Sequence, residues 1–235
     1  MNALAIILAR GGSKRIPRKN IRPFHGRPIL SYPIAAAQAS GCFAEVMVST
    51  DDAEIAGIAR ACGATVPFFR SEQNSNDFAG SDDAIVEVIA RYRELGRRFD
   101  QVCALYPTAA LTTAEHLRRG HQMLLADSSL TGVLPVLRFS FPIQRALVGR
   151  EGRMPMQHPE HYHTRSQDLE PAYHDAGQWY WLRPEKFVAS REFMGPHSAG
   201  LILPAMEAQD IDHEDDWAVA ELKYELRQAR TPAAA

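Results

Sequence analysis

The hydrophobic positions of this chain follow two patterns that alternate along its length. Short apolar runs are typical of buried strands, and longer stretches whose apolar residues recur every three or four positions are typical of helices. The apolar runs predict strands at Ala3–Leu8, Glu45–Ser49, Ala64–Phe68, Gln101–Tyr106, Gly132–Leu137 and Gly177–Leu182.

Helices are predicted between these runs. Ser31–Ser40 and Asp51–Cys62 are each followed by a glycine, a residue that commonly ends a helix. A third helix begins at Ser81, and two more cover Thr113–Ala126 and about Asp215–Arg227. Strands joined by helices form parallel sheets, so we expect an α/β fold with a Rossmann-like, mainly parallel sheet flanked by helices.

The alternation breaks between about residues 138 and 173, where aromatic residues and prolines are interleaved with polar and basic ones. We interpret this segment as a small insertion that lies over the active site or forms an oligomer contact. The 235-residue length and the 46% hydrophobic content fit a single domain over residues 1–235. The tail Thr231–Ala235 is expected to fray.

The first predicted strand opens directly into a basic loop. From Arg10 to Arg22 there are six basic residues and no acidic one, and Gly11 and Gly12 allow the backbone to bring its N–H groups close to a ligand. Ligands of open α/β sheets collect beyond the carboxyl ends of the strands, so this loop is a candidate polyphosphate site. It contains neither a P-loop nor a G-x-G-x-x-G fingerprint.

An acidic segment near the C-terminus complements the basic loop. Asp210 and Asp212 alternate about Ile211, and in an extended segment both carboxylates would point to one face. Two such carboxylates suit a Mg²⁺ ion that is shared with substrate phosphates. The acidic residues 214–216 are explained by the start of the last helix, because the helix dipole favours negative charge there.

The overall composition excludes several other classes. A formal net charge of −2 and a pI near 6.5 are not those of a general nucleic-acid-binding protein. The apolar N-terminal run is too short for a signal sequence or a membrane span, so we expect a cytoplasmic protein with no membrane partner. Cys42, Cys62 and Cys103 form no C-x-x-C pair and are expected to be reduced thiols.

Two other kinds of chemistry are weakly supported. His158, His161 and His163 form an H-x-x-H-x-H cluster inside the segment 138–173, but no cysteine or clear carboxylate completes a zinc site. Hydrogen bonding to a polar ligand is the favoured interpretation of these histidines. A serine hydrolase is not indicated, because the chain has no G-x-S-x-G motif.

The motifs occur in the order found in the CMP-sialic acid synthetase family, and the resemblance covers nearly the whole chain. The residues that carry it are Ala9–Lys14, Lys19–Asn20, Ser49–Asp51, Tyr106–Thr108 and Asp210–Asp212.

Three further motifs are most similar to the branch of this family that activates pseudaminic acid, namely Arg15–Pro17, His174–Gln178 and Gln209–Asp212. Two positions depart from the family pattern. Ala110 stands where proline usually continues the Y-P-T segment, and Arg15 replaces a glycine that is common in the sialic acid enzymes.

The resemblance implies a fold of the nucleotide-diphospho-sugar transferase type. It also implies a reaction in which the anomeric hydroxyl of a nonulosonic acid, most closely pseudaminic acid, attacks the α-phosphate of CTP. The products would be a CMP-sugar and pyrophosphate. Asp210 and Asp212 would hold Mg²⁺, and the segment 138–173 would help to form a homodimer.

The family also implies roles at the nucleotide. Arg10, Lys19 and Asp212 would be the catalytic residues. Arg10, Ser13 and Lys19 would hold the triphosphate and stabilise charge on the departing pyrophosphate, with Lys14 supporting the loop. The backbone of Gly11 and Gly12 completes this part of the CTP site.

The remaining family positions concern cytidine and the sugar. Asn20, Arg70 and Ser81 would contact the cytidine, although Ser81 also suits a helix N-cap and Arg70 also suits an exposed surface. Arg165 would meet the sugar carboxylate through bidentate geometry, with Gln167 and Tyr106 beside it.

Two alternatives stay open at this point. An N-acylneuraminate or legionaminic acid cytidylyltransferase would share the nucleotide half of the site and differ around Tyr106, Arg165 and His174. A non-catalytic nucleotide-binding module would keep the fold without turnover, and the presence of Arg10 and Asp212 argues against it.

Overall fold

The computed structural model describes residues 2–76 and 78–230. Within them the strands are β1 (Ala3–Leu8), β2 (Pro23–Phe24), β3 (Arg27–Pro28), β4 (Glu45–Ser49), β5 (Gln101–Leu105), β6 (Gly132–Arg138), β7 (Tyr173–Asp175), β8 (Trp179–Leu182) and β9 (Ser198–Ile202). The α-helices are α1 (Ser31–Ser40), α2 (Ala53–Ala61), α3 (Ser81–Glu94), α4 (Ala114–Ala126), α5 (Pro184–Ser190) and α6 (Glu214–Arg230). The tail that we expected to fray, residues 231–235, lies outside the described residues.

The described strands form a large mixed sheet and a small hairpin of β2 and β3. The large sheet has the order β4-β1-β5-β8-β6-β7, and β9 also pairs with β6. Strands β4, β1 and β5 are parallel, and so are β6 and β9, whereas β8 is antiparallel to both β5 and β6. Strand β7 is antiparallel to β6. The expected mainly parallel, Rossmann-like sheet is confirmed.

Strand β1 feeds two hydrophobic cores, one on each face of the sheet. Ala5 and Ile7 pack in the core that also contains residues of α1, α2 and α4. Leu4 and Ile6 pack on the opposite face, against residues of α3 and α5. A strand that is covered on both faces has no polar positions to alternate with, which explains its uninterrupted apolar run.

One predicted strand is wrong. Residues 64–68 pair with β4 through a β-bridge between Thr65 and Met47 and do not form a strand. Pro67 has no N–H to donate to a ladder, and Gly63, with a positive φ of 83°, is still part of the turn that ends α2. The other predicted strands and helices are present with shifts of a few residues at their ends.

The segment from residue 139 to residue 172 connects the antiparallel strands β6 and β7. Its ends meet where the N–H of Phe139 donates to the carbonyl of Ala172 at 3.0 Å. Inside it the chain makes short 3₁₀ turns and a small hairpin at residues 147–156. The segment is therefore a long connection that leaves the sheet at the end of β6 and returns to it beside the same strand, at the start of β7.

Among the residues that the structure describes, we find no helix with both the length and the apolar content needed to cross a bilayer.

Candidate active site

The parallel strands β1, β4 and β5 bring three polar segments to one edge of the sheet. Strand β1 is followed by the basic loop, β4 by Thr50 and Asp51, and β5 by Tyr106–Thr108. The fourth segment, which carries Asp210 and Asp212, follows β9. This edge is where open α/β sheets bind their ligands.

The basic loop, Tyr106–Thr108 and the acidic segment line a cleft of about 430 Å³, which lies within the range of small-molecule sites. Thr50 and Asp51 are not among its lining residues. Its polar lining comprises Arg10, Ser13, Lys14, Arg15, Lys19, Asn20, Arg70, Ser81, Tyr106, Thr108, Asp210 and Asp212. The structure thus brings together the candidate triphosphate, cytidine and metal residues, together with Tyr106 of the candidate sugar residues.

A buried apolar cluster holds the basic loop against the acidic segment. Ile16 of the loop and Ile211 of the acidic segment are both fully buried, in one cluster with Phe24 and with Trp217 of α6. Ile211 points into this cluster, so its two flanking aspartates are free to face the cleft. The alternation of Asp210 and Asp212 about an apolar residue has this physical cause.

Two of the predicted site residues hold the loop in place through hydrogen bonds to backbone carbonyls. Asn20 is almost fully buried, and its side-chain amide donates to the backbone carbonyl of Arg10 at 2.8 Å. Arg10 donates to the carbonyl of Asn76, at 2.9 Å, in the loop before α3. Asn20 therefore fixes the loop backbone as well as lining the cleft.

Gly11 and Gly12 do not have the role expected of them, which was to present backbone N–H groups to a ligand. The N–H of Gly11 donates to Asp51 at 2.8 Å instead of being available to a ligand, and neither Gly11 nor Gly12 has a positive φ. A Cβ at Gly11 would lie 2.9 Å from a carboxylate oxygen of Asp52. Gly11 is required by close approach to Asp52, and neither glycine is among the residues that line the cleft.

Asp212 meets two cations across the cleft. Its Oδ1 lies 2.7 Å from the guanidinium of Arg15 and 3.7 Å from the amine of Lys19. Lys19 also donates to the carbonyl of Ile211. Burial lowers the pKa of Lys19, although the charges of Asp212 and Asp210 oppose this shift.

The two residues before β8, Gly177 and Gln178, support the segment that carries Asp210. Gly177 has a φ of +61°, and a Cβ there would lie 2.7 Å from the carboxyl carbon of Asp210. The amide of Gln178, which is buried, donates to the carbonyl of Gln209 at 3.0 Å. Burial and the nearby charge of Asp212 raise the pKa of Asp210. A cation placed between these carboxylates would relieve that repulsion.

The acidic residues after Asp212 serve the start of α6, as expected. Asp216 accepts from the backbone N–H groups of Asp212 at 3.0 Å and His213 at 2.8 Å. Glu214 pairs with Arg22 at 2.7 Å. Both contacts also fix the position of the segment that carries the cleft aspartates.

The candidate cytidine residues occupy one wall of the cleft. Arg70 is buried rather than exposed, and donates to the hydroxyl and carbonyl of Ser49 at 3.0 and 2.8 Å. Burial lowers the pKa of Arg70 to about 10, so it remains charged at neutral pH. Ser81 is not the N-cap, because Gly80 occupies that position, and its hydroxyl lies 3.4 Å from that of Tyr106.

Arg165 and Gln167 are not brought into the cleft of this chain. Both are exposed on the segment 139–172, and Arg165 pairs with Asp168 at 2.7 Å. Their assignment as sugar-binding residues stays a prediction. The histidines of the same segment also lie outside the cleft, and His158 is 3.4 Å from Glu160.

The metal donors present are the two aspartates. Within the described residues there is no group of three or more His, Cys, Asp or Glu side chains that could hold a metal. Two carboxylates fit Mg²⁺, which seldom uses an all-protein cage and takes further oxygens from phosphates and water.

Sequence reasoning missed some of the lining. Arg15 was noted as a departure from the family pattern and given no role, although it contacts Asp212. Pro107 and Thr108 line the cleft, and their place in the Y-P-T motif was the available signal. Ala79 and Gly80 also line the cleft, but they belong to no sequence motif, because only the path of the backbone brings them there.

The comparisons with known proteins agree with this geometry. The model of a family described as "Cytidylyltransferase" matches residues 4–150. The pseudaminic acid cytidylyltransferase of Campylobacter jejuni subsp. jejuni is 38% identical over 227 residues, which cover 96% of this chain and 97% of that protein. This chain belongs to the cytidylyltransferase family. The CMP-N,N'-diacetyllegionaminic acid synthase of Legionella pneumophila is 31% identical over 236 residues, covering 97% and 98% of the two chains.

Solved structures support the same fold for this cytidylyltransferase family member. A CMP:2-keto-3-deoxy-manno-octonic acid synthetase complexed with CTP matches with a TM-score of 0.69 at 17% identity, covering 97% of this chain and 100% of that one. A 4-diphosphocytidyl-2C-methyl-D-erythritol synthase from Anaerococcus prevotii matches with a TM-score of 0.64 at 12% identity, covering 95% and 96%. At these identities the likeness concerns the fold.

Proposed function

We propose that this protein transfers CMP from CTP to the anomeric hydroxyl of pseudaminic acid, giving CMP-pseudaminic acid and pyrophosphate. The observation that carries the proposal is the cleft itself, in which the basic loop faces Asp210 and Asp212. The relative that shares 38% of its residues over almost its full length is named for this reaction.

The chain's own groups can position a triphosphate and neutralise its charge. Arg10, Lys14 and Lys19 line the same part of the cleft as Ser13, whose hydroxyl can donate to a phosphate oxygen. The anomeric hydroxyl releases its proton to solvent and its oxygen forms a bond to the α-phosphorus, while the bond from that phosphorus to the bridging oxygen breaks and pyrophosphate leaves. The developing charge on pyrophosphate is stabilised by the fixed cations of Arg10 and Lys19.

Asp210 and Asp212 are proposed to hold Mg²⁺. When bound, the ion would neutralise phosphate charge and make the attacking hydroxyl more acidic. Asp212, which contacts Arg15 and Lys19 in this structure, would share its carboxylate with the cation, and both basic side chains would then be available to phosphate oxygens. Gly177 and Gln178 keep Asp210 in place.

The sugar is proposed to lie beside Tyr106, at the end of the cleft next to the metal carboxylates. Arg165 and Gln167 are candidates for contacting it, but their own segment does not reach the cleft of the same chain. We propose that the segment 139–172 forms a homodimer contact, since it exposes large apolar side chains, among them Phe141 and Tyr162. The reaction belongs in the cytoplasm, where CTP is available.

Asp212→Asn tests the proposed catalysis. We expect kcat for pyrophosphate release from CTP to fall at least about 100-fold while the protein remains folded, because a carboxylate ligand is lost. The matched control is Asp215→Asn, an exposed acid in the first turn of α6, which should retain activity within about twofold. Full activity of Asp212→Asn would refute the metal assignment, and a wild-type protein that binds CTP without turnover would indicate a binding module.

A further inference from the structure

Arg18 lies in the basic loop, but its guanidinium contacts helix α2 instead of the cleft. It donates to the carboxylate of Asp52, which is the N-cap of α2, and to the carboxylate of Glu54 in the first turn. The Asp52 side chain is 21% exposed, so this pair is partly shielded from solvent. Neither Arg18 nor Asp52 is among the described residues that line the cleft.

Asp52 lies next to both ends of the loop segment that is proposed to bind phosphate, while the N–H of Gly11 itself donates to the neighbouring Asp51. At one end, the Cα of Gly11 approaches so closely that a Cβ there would lie 2.9 Å from Asp52 Oδ2. At the other end, Arg18 binds the same carboxylate. The other oxygen of Asp52 accepts from the N–H groups of Glu54 and Ile55, at 2.9 and 3.0 Å, which fixes the carboxylate to the helix.

The backbone at Arg18 sets the direction of the next side chain. Arg18 has φ of 55° and ψ of 27°, a left-handed conformation that residues with a Cβ rarely adopt. The turn begins a short 3₁₀ helix and directs Lys19 into the cleft, toward Asp212 and the carbonyl of Ile211. The turn is closed by the N–H groups of Ile21 and Arg22, which both donate to the carbonyl of Arg18 at 3.0 Å, while the side chain of Arg18 is held against α2.

We infer that Arg18 is a positioning residue, whose ion pair with Asp52 fixes the distance between Gly11 and Lys19 so that the loop fits the β- and γ-phosphates of the nucleotide. This inference rests on the proposed function, since it assigns a device to the proposed triphosphate site. Of the three candidate cytidine residues, Arg70 and Ser81 lie outside the basic loop, and Asn20 has its own hydrogen bond to the carbonyl of Arg10.

The test compares binding of CTP and of CMP by calorimetry, in wild-type protein and in Arg18→Ala. Loss of the clamp should weaken CTP binding about fivefold and leave CMP binding within about twofold, because CMP lacks the two phosphates that the loop would contact. A general loss of structure would weaken both nucleotides. Equal weakening of CTP and CMP would therefore overturn the inference.

Asp52→Asn is the complementary variant, because an asparagine keeps the N-cap of α2 and removes the charge that Arg18 contacts. It should reproduce the loss of CTP affinity, and the double variant should be no weaker than either single one. Fully additive losses would show that the two residues act separately, and would contradict the clamp. Arg18→Lys, which keeps one charged contact, should restore part of the affinity.

The control Arg93→Ala removes an exposed ion pair of similar kind, between Arg93 in α3 and Glu185 in α5 at 2.6 Å, and should change neither affinity. The clamp can fail separately from the proposed function. If wild-type protein turns over CTP while Arg18→Ala binds CTP normally, the clamp is wrong and the function stands. If wild-type protein does not prefer CTP to CMP, the clamp is wrong, and if it also releases no pyrophosphate from CTP in the presence of the sugar, the proposed function is overturned as well.

Discussion

Ile211 is fully buried between the two aspartates of the cleft, and so it decides where their carboxylates can point. Its contact with Ile16 also sets the distance between the acidic segment and the basic loop. The charges of the site are thus placed by apolar side chains that do not line the cleft. The close pairs, such as Arg15 with Asp212, follow from that placement.

We expect substitution of Gly177, which lies behind Asp210, to have a large effect on activity. Gly177→Ala places a Cβ in a left-handed conformation and against the Asp210 carboxylate, so kcat/KM should fall about 10- to 100-fold and the Mg²⁺ concentration for half-maximal rate should rise. The unfolding free energy should fall by about 1–2 kcal/mol from the backbone conformation. Initial rates over a Mg²⁺ series and a urea titration measure both effects.

Gly96→Ala separates these two causes. Gly96 also has a positive φ, of 72°, but nothing lies within 4 Å of its Cβ position. It should lose similar stability and keep the wild-type Mg²⁺ dependence. If both variants show the same Mg²⁺ dependence, Gly177 does not position Asp210.

At the scale of elements, local sequence patterns predict a strand or helix correctly where its burial is uniform. They fail to predict strands that form only through pairing with residues distant in the sequence. Strand β1 is apolar because both of its faces are covered, so its bounds could be read directly. Strand β7 has only three residues, two of them polar, and β9 is interrupted by Gly200, so neither stands out in the apolar pattern, and both form by pairing with β6. The candidate site follows the same rule: residues inside motifs were predictable, whereas the contacts of Arg15 and Arg18 depend on how distant segments pack.

Glu45, at the start of β4, links this strand to its neighbours. Its carboxylate accepts from the hydroxyls of Thr65 and Tyr92 and pairs with Arg97. Burial favours a higher pKa for Glu45, but these hydrogen bonds and the charge of Arg97 outweigh it and the pKa is lowered. A carboxyl with a lower pKa in the folded state stabilises that state above its unfolded pKa, and this contribution is lost as pH falls through the folded pKa.

Glu45→Gln should therefore lower the unfolding free energy by about 1–3 kcal/mol near neutral pH, and by less below the ordinary glutamate pKa. Urea unfolding at about pH 7.5 and about pH 4 measures the difference. Glu115→Gln, which alters an exposed pair with Arg118, is the control and should have little effect at either pH. A loss for Glu45→Gln that does not change with pH would contradict this account.

At the scale of the whole molecule, the sheet provides one ligand-binding edge, and the segment 139–172 extends from strands β6 and β7. Phe141 and Tyr162 on this segment are 82% and 67% exposed. The sequence predicted that the α/β pattern breaks in this segment, because the aromatic residues and prolines of the segment follow neither the helical nor the strand periodicity. The homodimer contact proposed for these side chains would depend on a second molecule, which a pattern within one chain does not describe.

We expect a dimer of twice the 26.2 kDa chain mass in light scattering after size-exclusion chromatography. Phe141→Asp should shift it toward the monomer, because a charge would be buried at the contact. Leu95→Asp, at an exposed site just after α3, should leave the mass unchanged. A monomeric wild-type protein, or a Phe141→Asp variant with the dimer mass, would contradict the proposed contact.

The central claim is that the cleft joins CMP to one particular sugar acid. The most direct measurement is pyrophosphate release from CTP and Mg²⁺ with pseudaminic acid, compared with N-acetylneuraminic acid, legionaminic acid and no sugar. We predict release that depends on pseudaminic acid, with the other sugars at least about tenfold lower in kcat/KM. Faster release with another sugar would contradict the substrate assignment, and no sugar-dependent release by folded protein that binds CTP would contradict the function itself.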